Sequence, residues 1–592
     1  MSKTVRIAGA CGFWGDSAIA LPQLMREPLD YVTFDFLAEI TMSIMARARA
    51  ADPTAGYATD FVDTIGRHAV QLAEQHVKVI ANAGGVNPVA CARALEKRLA
   101  GAGVSLKVGV VVGDDLLDCA AQWRAEGRQE MFSGVPIPER LLSLNAYLGA
   151  EPIAAALAAG ADIVITGRCV DSALTLGACL HEFGWGRQDL DCLAGGSLAG
   201  HIVECGAQAT GGIHTDWEQT GDWANIGYPI VEISRDGRFT LVKPRDTGGL
   251  VSVGTAAEQM VYEIGDPTAY VLPDVVCDFS QVSIREAGPG RVHFSGARGR
   301  PPTPTYKASA TWSDGFRVGA YFMIAGIDAA AKADKVADAV FRRSAEMLRE
   351  QHLPPFTEIS HEVIGSETSY GPASRRRDTR EVMLKVAAKN PSPRALEILV
   401  REFTSAGTSM APGFTGMGGN RPKVMPVVRL FSCLVPKAEV DVHVLLGETG
   451  GPLADACGRG EALINAPPPP ETTTETPLAP TAETVPLIRL AWGRSGDKGN
   501  FANIGIIARR PEYLPYIRAA LTPQAVATVF AHYLEGPVER FDLPGVNAIN
   551  FLLHDVLGGG GTASLRNDPQ GKAYAQILLE YPIPVPAELL QD

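Results

Sequence analysis

The sequence predicts an α/β protein. It reads as a Rossmann-like parallel sheet domain continued by an α+β subdomain, with a small α+β module at the C-terminal end. Three observations carry this reading. Up to about residue 190, short β-branched apolar runs alternate with turn signals and helical patterns, the grammar of βαβ units on a sheet buried on both faces. Past about residue 228 the spacing tightens into strand-like runs, as in "YPIVEISRDGRFTLVKP", two strands joined at Asp-Gly. From Ile464 to Pro486 the chain runs "INAPPPPETTTETPLAPTAETVP", which cannot build a core and reads as an extended tether. The expected organisation is a core over 1–463 (about 1–227 parallel α/β, about 228–463 α+β), a linker over 464–486 and a module over 487–592.

The parallel strands are expected at "VRIAGA", "YVTFDF", "VKVIANAG", "LKVGVVVG" and "ADIVITG". Ligands of such sheets bind at the carboxyl ends of the strands, so the residues after each run matter most. The first run ends in "AGACGFWGDS", where Gly12 and its neighbours form either a turn whose N–H groups face an anion or a plain strand-to-helix turn. The second ends in "FDFLAEITM"; Glu39 is an acid/base at the sheet edge or a first-turn acid favoured by the helix dipole.

The third run ends in "NAGGVNP". Asn82 offers donor and acceptor, Gly84 and Gly85 let backbone approach a ligand, and Asn87 with Pro88 starts a helix. "ITGRCVDSAL" follows the last run and carries Arg168 and Asp171, an oxygen-binding fork with its partner or a closed ion pair. Cys169 between them is a weaker nucleophile candidate, since no base is identifiable for it.

"AGHIVECGAQATGG" puts His201 and Glu204 three apart, a hydrogen-bonded pair at a helix end more than a metal site. Thr255 with Glu258 has capping-box spacing, and the loop Asp246 to Gly249 lies just upstream. A long helix is expected near Asp328–Gln351, and the α+β part ends near Leu446. The module reads β–β–α–α–β–β–turn–β.

At 592 residues, two or three domains are expected. Against 66 acidic residues stand 53 basic ones, a net charge of −13 that argues against nucleic acid as partner. A small anionic ligand needs only a local basic or N–H-lined pocket. The chain enters a strand at once without a signal-peptide pattern, and no apolar run reaches the roughly 18 residues of a membrane span, so a cytoplasmic protein without a membrane partner is expected. The ten cysteines form no CxxC pair; they read as small apolar residues of a reducing compartment, with no metal and no required cofactor.

"RSGDKGNFANIGI", Arg494 to Ile506, suggests a phosphate cradle but fails the P-loop pattern, because Lys498 precedes Gly499 and Asn500 follows it. Asp497, Lys498 and Asn500 instead face a second glycine-rich loop, Gly558 to Lys572. The two loops form an anion pocket or a clamp on the large domain, unless Asp497 and Lys498 merely pair across a turn.

Together, "GACGFWGDS", "FDFLAEITM", "NAGGVNP", "ITGRCVDSAL", "HEFGW", "AGHIVECGAQATGG" and "EQMVYEIGDP…YVLPDV" resemble the acyclic terpene utilisation AtuA family. "RSGDKGNFANIGIIARRPEYLP" resembles the ferredoxin-like domain often fused to it. The resemblance implies breakdown of citronellol- and geraniol-type terpenes through acyl-CoA intermediates, and brings no settled catalytic residues. The expectation is therefore an enzyme on a branched acyl-CoA or carboxylate, foremost a hydro-lyase (hydratase). Glu39 or Asp171 would be its acid/base, Asn82 with the Gly84 and Gly85 amides its enolate site, and Arg168 its anion anchor. Gly12, His201, Glu204, Asp497, Lys498 and Asn500 are further substrate-binding candidates, and coenzyme A would enter as part of the substrate. A hydrolase or acyl/CoA transferase, or a non-catalytic ligand-binding or scaffold subunit, are the alternatives. A homo-oligomer is expected.

Overall fold

The computed structural model describes residues 3–417, 419, 421–447, 449–452, 479, 483–561 and 563–591. Six strands organise the N-terminal part: β1 (Thr4–Gly9), β2 (Tyr31–Phe34), β3 (Lys78–Ala81), β4 (Val108–Val112), β5 (Leu141–Ala146) and β6 (Ile163–Thr166). Five of them pair in parallel in the order β1-β2-β3-β6-β4. That is not the doubly wound order 3-2-1-4-5-6 of dinucleotide-binding domains. The parallel sheet is as expected; the Rossmann-like winding is not found.

Alternate residues of these strands feed two cores. Ile7, Ile80 and Val164 face helices Glu151–Ala158, Ala173–Phe183 and Leu190–Val203. Ala8, Val79, Ala81, Ile163 and Ile165 face helices Thr59–Gln75 and Pro88–Gly101. Burial on both faces explains why the strands read as near-continuous apolar runs.

The pattern change near residue 228 is not a boundary between sheets. Ile230–Ser234 pairs antiparallel with β1, and Phe239–Val242, Val292–Ser295 and Ser283–Glu286 follow outward. Strands His443–Leu446 and Thr449–Pro452 add to β4 at the other edge. Among the described residues this makes an eleven-stranded mixed sheet. Ile230, Val231 and Ile233 are all buried, so this segment has two apolar faces and can only extend a covered sheet.

A second sheet is built on the long strand Thr305–Ala325, which pairs with Glu381–Asn390, Phe414–Met417, Met425–Pro436 and β5. The register Ala308↔Ala146 brings the end of β5 beside Lys307, whose carbonyl accepts from the Tyr147 N–H at 2.9 Å. Helix Ala329–Glu350, close to the expected span, and helix Pro393–Ser409 cover this sheet.

The C-terminal module is a four-stranded antiparallel sheet, ordered Ala491–Lys498, Phe501–Ala508, Ala548–Leu553, Val538–Leu543. Most of the proposed tether lies outside the described residues. Its end, Glu483–Pro486, is a strand paired with Pro582–Val585 and so part of the module.

The module docks through buried polar groups. Asn503 donates to the Val261 carbonyl at 2.7 Å and accepts from the Glu263 N–H at 2.9 Å. Asn550 donates to the Ile264 carbonyl at 2.7 Å, and Arg509 grips Asp216 through two bonds of 2.6 Å. A Cβ on Gly505 would stand 2.2 Å from Val261 Cγ2, so only glycine lets this strand lie on helix Val253–Val261.

Candidate functional site

The carboxyl ends of β1 and β3 are closed by the protein itself. The Gly12 N–H donates to Asp16 Oδ2 at 2.9 Å, and the other Asp16 oxygen accepts from Tyr228 at 2.7 Å. A Cβ on Gly12 would meet the Cys205 and Gly206 backbone at 2.7 Å, so its glycine serves packing. The expected anion turn thus has its anion already, Asp16.

Asn82 is fully buried; its Oδ1 accepts from Phe36 N at 2.7 Å and its Nδ2 donates to Asp35 at 2.6 Å. The Gly84 amide donates to the Thr166 carbonyl at 3.0 Å and the Gly85 amide to the Asn82 carbonyl at 3.3 Å. At the expected enolate site the Gly84 and Gly85 amides are therefore taken by the protein, and Asn82 is buried with its oxygen and one N–H engaged. Asn87 occupies the N-cap position, but its side chain holds the Pro53 and Ala55 carbonyls instead.

The ends of β2 and β6 are different. Glu39 opens helix Glu39–Ala51, in the first turn where the helix dipole favours a carboxylate. It accepts from the Tyr147 hydroxyl at 2.7 Å. The Arg168 guanidinium lies 4.1 Å above the Tyr147 ring centre and the Lys307 ammonium 4.9 Å from it. Burial alone would raise the Glu39 carboxyl, but Lys307, Arg168 and the Tyr147 bond outweigh it and hold it at about 2. Lys307 is pushed below the usual lysine range by burial, against the pull of Glu39.

Arg168 is held from behind. Its N–H donates to Asp114 Oδ2 at 2.8 Å, the atom that also accepts from Asn145 at 2.8 Å. Its Nη1 donates to Asp171 at 2.9 Å, while its Nε is buried without a partner among the described residues. Burial raises Asp114 to about 7 despite those two bonds. Cys169 is 1 % exposed and burial pushes its thiol up to about 12, which removes it as a nucleophile.

The module completes the cluster. Its hairpin Ala491–Lys498 and Phe501–Ala508 turns at Gly499, and Lys498 Nζ stands 3.6 Å from Glu263 Oε2. Burial would lower Lys498; Tyr270, Glu263, Asp171 and Glu39 outweigh it and raise it. The side chain is still 48 % exposed, as is 32 % of Asp171 and 28 % of Glu263. These charges crowd together and still keep open surface.

The two glycine-rich loops of the module meet. Asn500 Oδ1 accepts from Gly559 N at 2.7 Å and its Nδ2 donates to Asp555 at 2.9 Å, so Asn500 joins the loops. Asp497 pairs with Lys572 at 3.2 Å, not with Lys498, and its carboxyl is raised to about 6 by burial and Glu263. Lys572 also donates to the Tyr262 hydroxyl.

His201 and Glu204 form a pair at the end of helix Leu190–Val203, 3.0 Å apart. Thr255 is not the cap of helix Val253–Val261: Ser252 is, in a reciprocal box with Thr255, and Glu258 is buried against His214 and Thr215. The sequence reading missed Tyr147, Lys307, Tyr270 and Glu263. A lysine inside the apolar run "TYKASATW" was the one available signal; Tyr147 follows a strand that was not expected. Among the described residues no group of three or more His, Cys, Asp or Glu is placed to hold a metal, and no helix is long and apolar enough to cross a membrane.

The family model described as acyclic terpene utilisation family protein AtuA matches residues 5–446, and the model described as AtuA ferredoxin-like domain matches 485–584. The chain belongs to the AtuA family. No curated protein and no solved structure matches it.

Proposed function

We propose that this member of the acyclic terpene utilisation AtuA family is an enzyme acting on a small anionic acyl substrate. The substrate is a branched acyl-CoA or the related carboxylate, and the reaction is addition of water across a double bond conjugated with the acyl carbonyl. One observation carries the reading. At the ends of β2 and β6, Glu39, Tyr147, Arg168 and Lys307 form a single cluster, and the module brings Lys498 into its field.

The roles follow from the charges. Arg168 and Lys307 flank the place where negative charge on an acyl oxygen would develop, and such donors act most strongly where water is partly excluded. Lys498 anchors the anionic end of the substrate. Glu39, held ionised at about 2, is too weak a base to take a proton near neutrality; it fixes the Tyr147 hydroxyl instead. Asp171, open and beside Arg168, is placed to receive a proton from water. The buried free cysteines at 11, 91, 169, 179, 277 and 433 support a reducing, cytoplasmic setting.

The test is to incubate the purified full chain with 2,3-unsaturated branched acyl-CoAs and to follow gain of one water by mass. Hydration of at least one member, lost in Glu39→Gln, is expected. Wild type and Glu39→Gln equally inert across the panel would sink the reading.

A further inference from the structure

The strand-end cluster contains charged groups but none free to exchange a proton on carbon. A second group beside it does. His201 lies in the last turn of helix Leu190–Val203 and is 2 % exposed. Glu204 Oε1 holds its Nδ1 at 3.0 Å, and Gln259 Nε2 holds its carbonyl at 2.9 Å. The other ring nitrogen, Nε2, is buried and has no partner among the described residues.

A buried polar atom left so is costly, and beside a cluster of partly open charges it marks a place for a ligand atom. The arrangement is that of an imidazole oriented through one nitrogen so that the other is offered. The groups facing the pair come from every element around it. They are Asp35 after β2, Asp171 after β6, Cys205 just past the pair, Tyr270 with its ring centre at 6.1 Å, Glu263 after helix Val253–Val261, and Lys498 from the module. Asp171, Glu263 and Lys498 belong to the charged cluster, where Arg168 Nε is also buried without a partner among the described residues.

We propose that His201 is the proton-transfer residue of this charged cluster, its Nε2 giving a proton to the carbon next to the acyl carbonyl and taking it back in reverse, with Glu204 as its positioning residue. The inference rests on the acyl-substrate reading above. In hydration, the water oxygen bonds to the β-carbon and releases one proton to Asp171. The double-bond pair moves onto the acyl oxygen, then returns as the α-carbon takes the proton from Nε2. Asp171 releases its proton to solvent, solvent reprotonates the imidazole, and no oxidant or reductant enters.

The test uses the full chain labelled with 15N in its histidine rings, with long-range 1H–15N NMR across pH. The His201 signals are identified by their loss in His201→Gln and, should that variant not fold, by their shift in Glu204→Gln. The expected result is that Nε2 is the nitrogen that titrates, Nδ1 keeps its hydrogen, and Glu204→Gln lowers the midpoint. Titration at Nδ1, or none, overturns the proposal. On any acyl-CoA that the wild type hydrates, His201→Gln should lower kcat on the order of 100-fold while KM moves little. Glu204→Gln should shift the limb of the pH–rate profile that His201 sets. Unchanged turnover in His201→Gln overturns the proposal with the acyl reading intact. An inert wild type removes the acyl reading, and the proton assignment then stands or falls on the NMR result.

Discussion

The ends of β1 and β3 and the ends of β2 and β6 read alike as glycine- and polar-rich turns at one edge of one sheet, yet they do opposite things. At the first pair the polar groups are engaged inside the protein: Gly12 by Asp16, Asn82 by Phe36 and Asp35, Gly84 by Thr166. At the second pair Glu39 and Arg168 hold each other through Tyr147, with an Arg168 nitrogen left over and open surface on Asp171. The difference teaches that a strand-end motif becomes a site through what remains unsatisfied, and that hydrogen-bond accounting separates the two where residue type does not.

This contrast predicts that changes at the open ends strike activity and changes at the filled ends strike stability. The largest effect is expected for Glu39→Gln, which removes the carboxylate that fixes Tyr147 among the cations: a fall in turnover of roughly 10²- to 10³-fold with thermal unfolding little changed. A parallel loss of folded protein would place Glu39 with the structural residues and break the contrast.

Lys498→Ala comes next. Loss of a charge-assisted anchor of about 1.5–3 kcal/mol corresponds to a KM higher by roughly 10- to 150-fold, with the module still docked. Steady-state kinetics and limited proteolysis across the tether would read the two effects separately, and an unmoved KM would confine the site to the large domain.

Asn82→Ala tests the filled side. It leaves the Phe36 N–H unpaired in the core, at about 1–3 kcal/mol, and leaves Asp35 only the Leu37 N–H at 3.3 Å, so denaturant unfolding should show a loss of stability while KM is unchanged. A KM effect in a fully stable variant would reopen the enolate role for Asn82.

The smallest effect concerns Asp114, which supports Arg168 from behind. Burial raises it to about 7, so the folded form keeps a proton that the unfolded chain loses near about 4. A raised carboxyl makes the folded state lose stability as pH rises from about 4 through about 7. Asp114→Asn cannot ionise, so its stability should decline less over that window, as read by urea unfolding at pH 5 and pH 8. An identical slope in wild type and variant would assign the pH dependence elsewhere.

The sequence alone determined the βαβ order, the five parallel strands, a distinct C-terminal module and the positions of Glu39, Arg168, Asp171 and Lys498 at or just past strand ends. These are properties of local pattern: apolar runs, turn residues, and a charge just past a strand. Tertiary structure decided the rest. Tyr147 and Lys307 lie 160 residues apart in the chain and meet only because β5 crosses to pair with Thr305–Ala325. That partnership is a register between distant strands, and no local pattern encodes it. Equally, whether Asn82 or Arg168 has a bond to spare depends on the groups that folding brings up to it. Residue type shows what a side chain can donate, and only packing shows what has already been given.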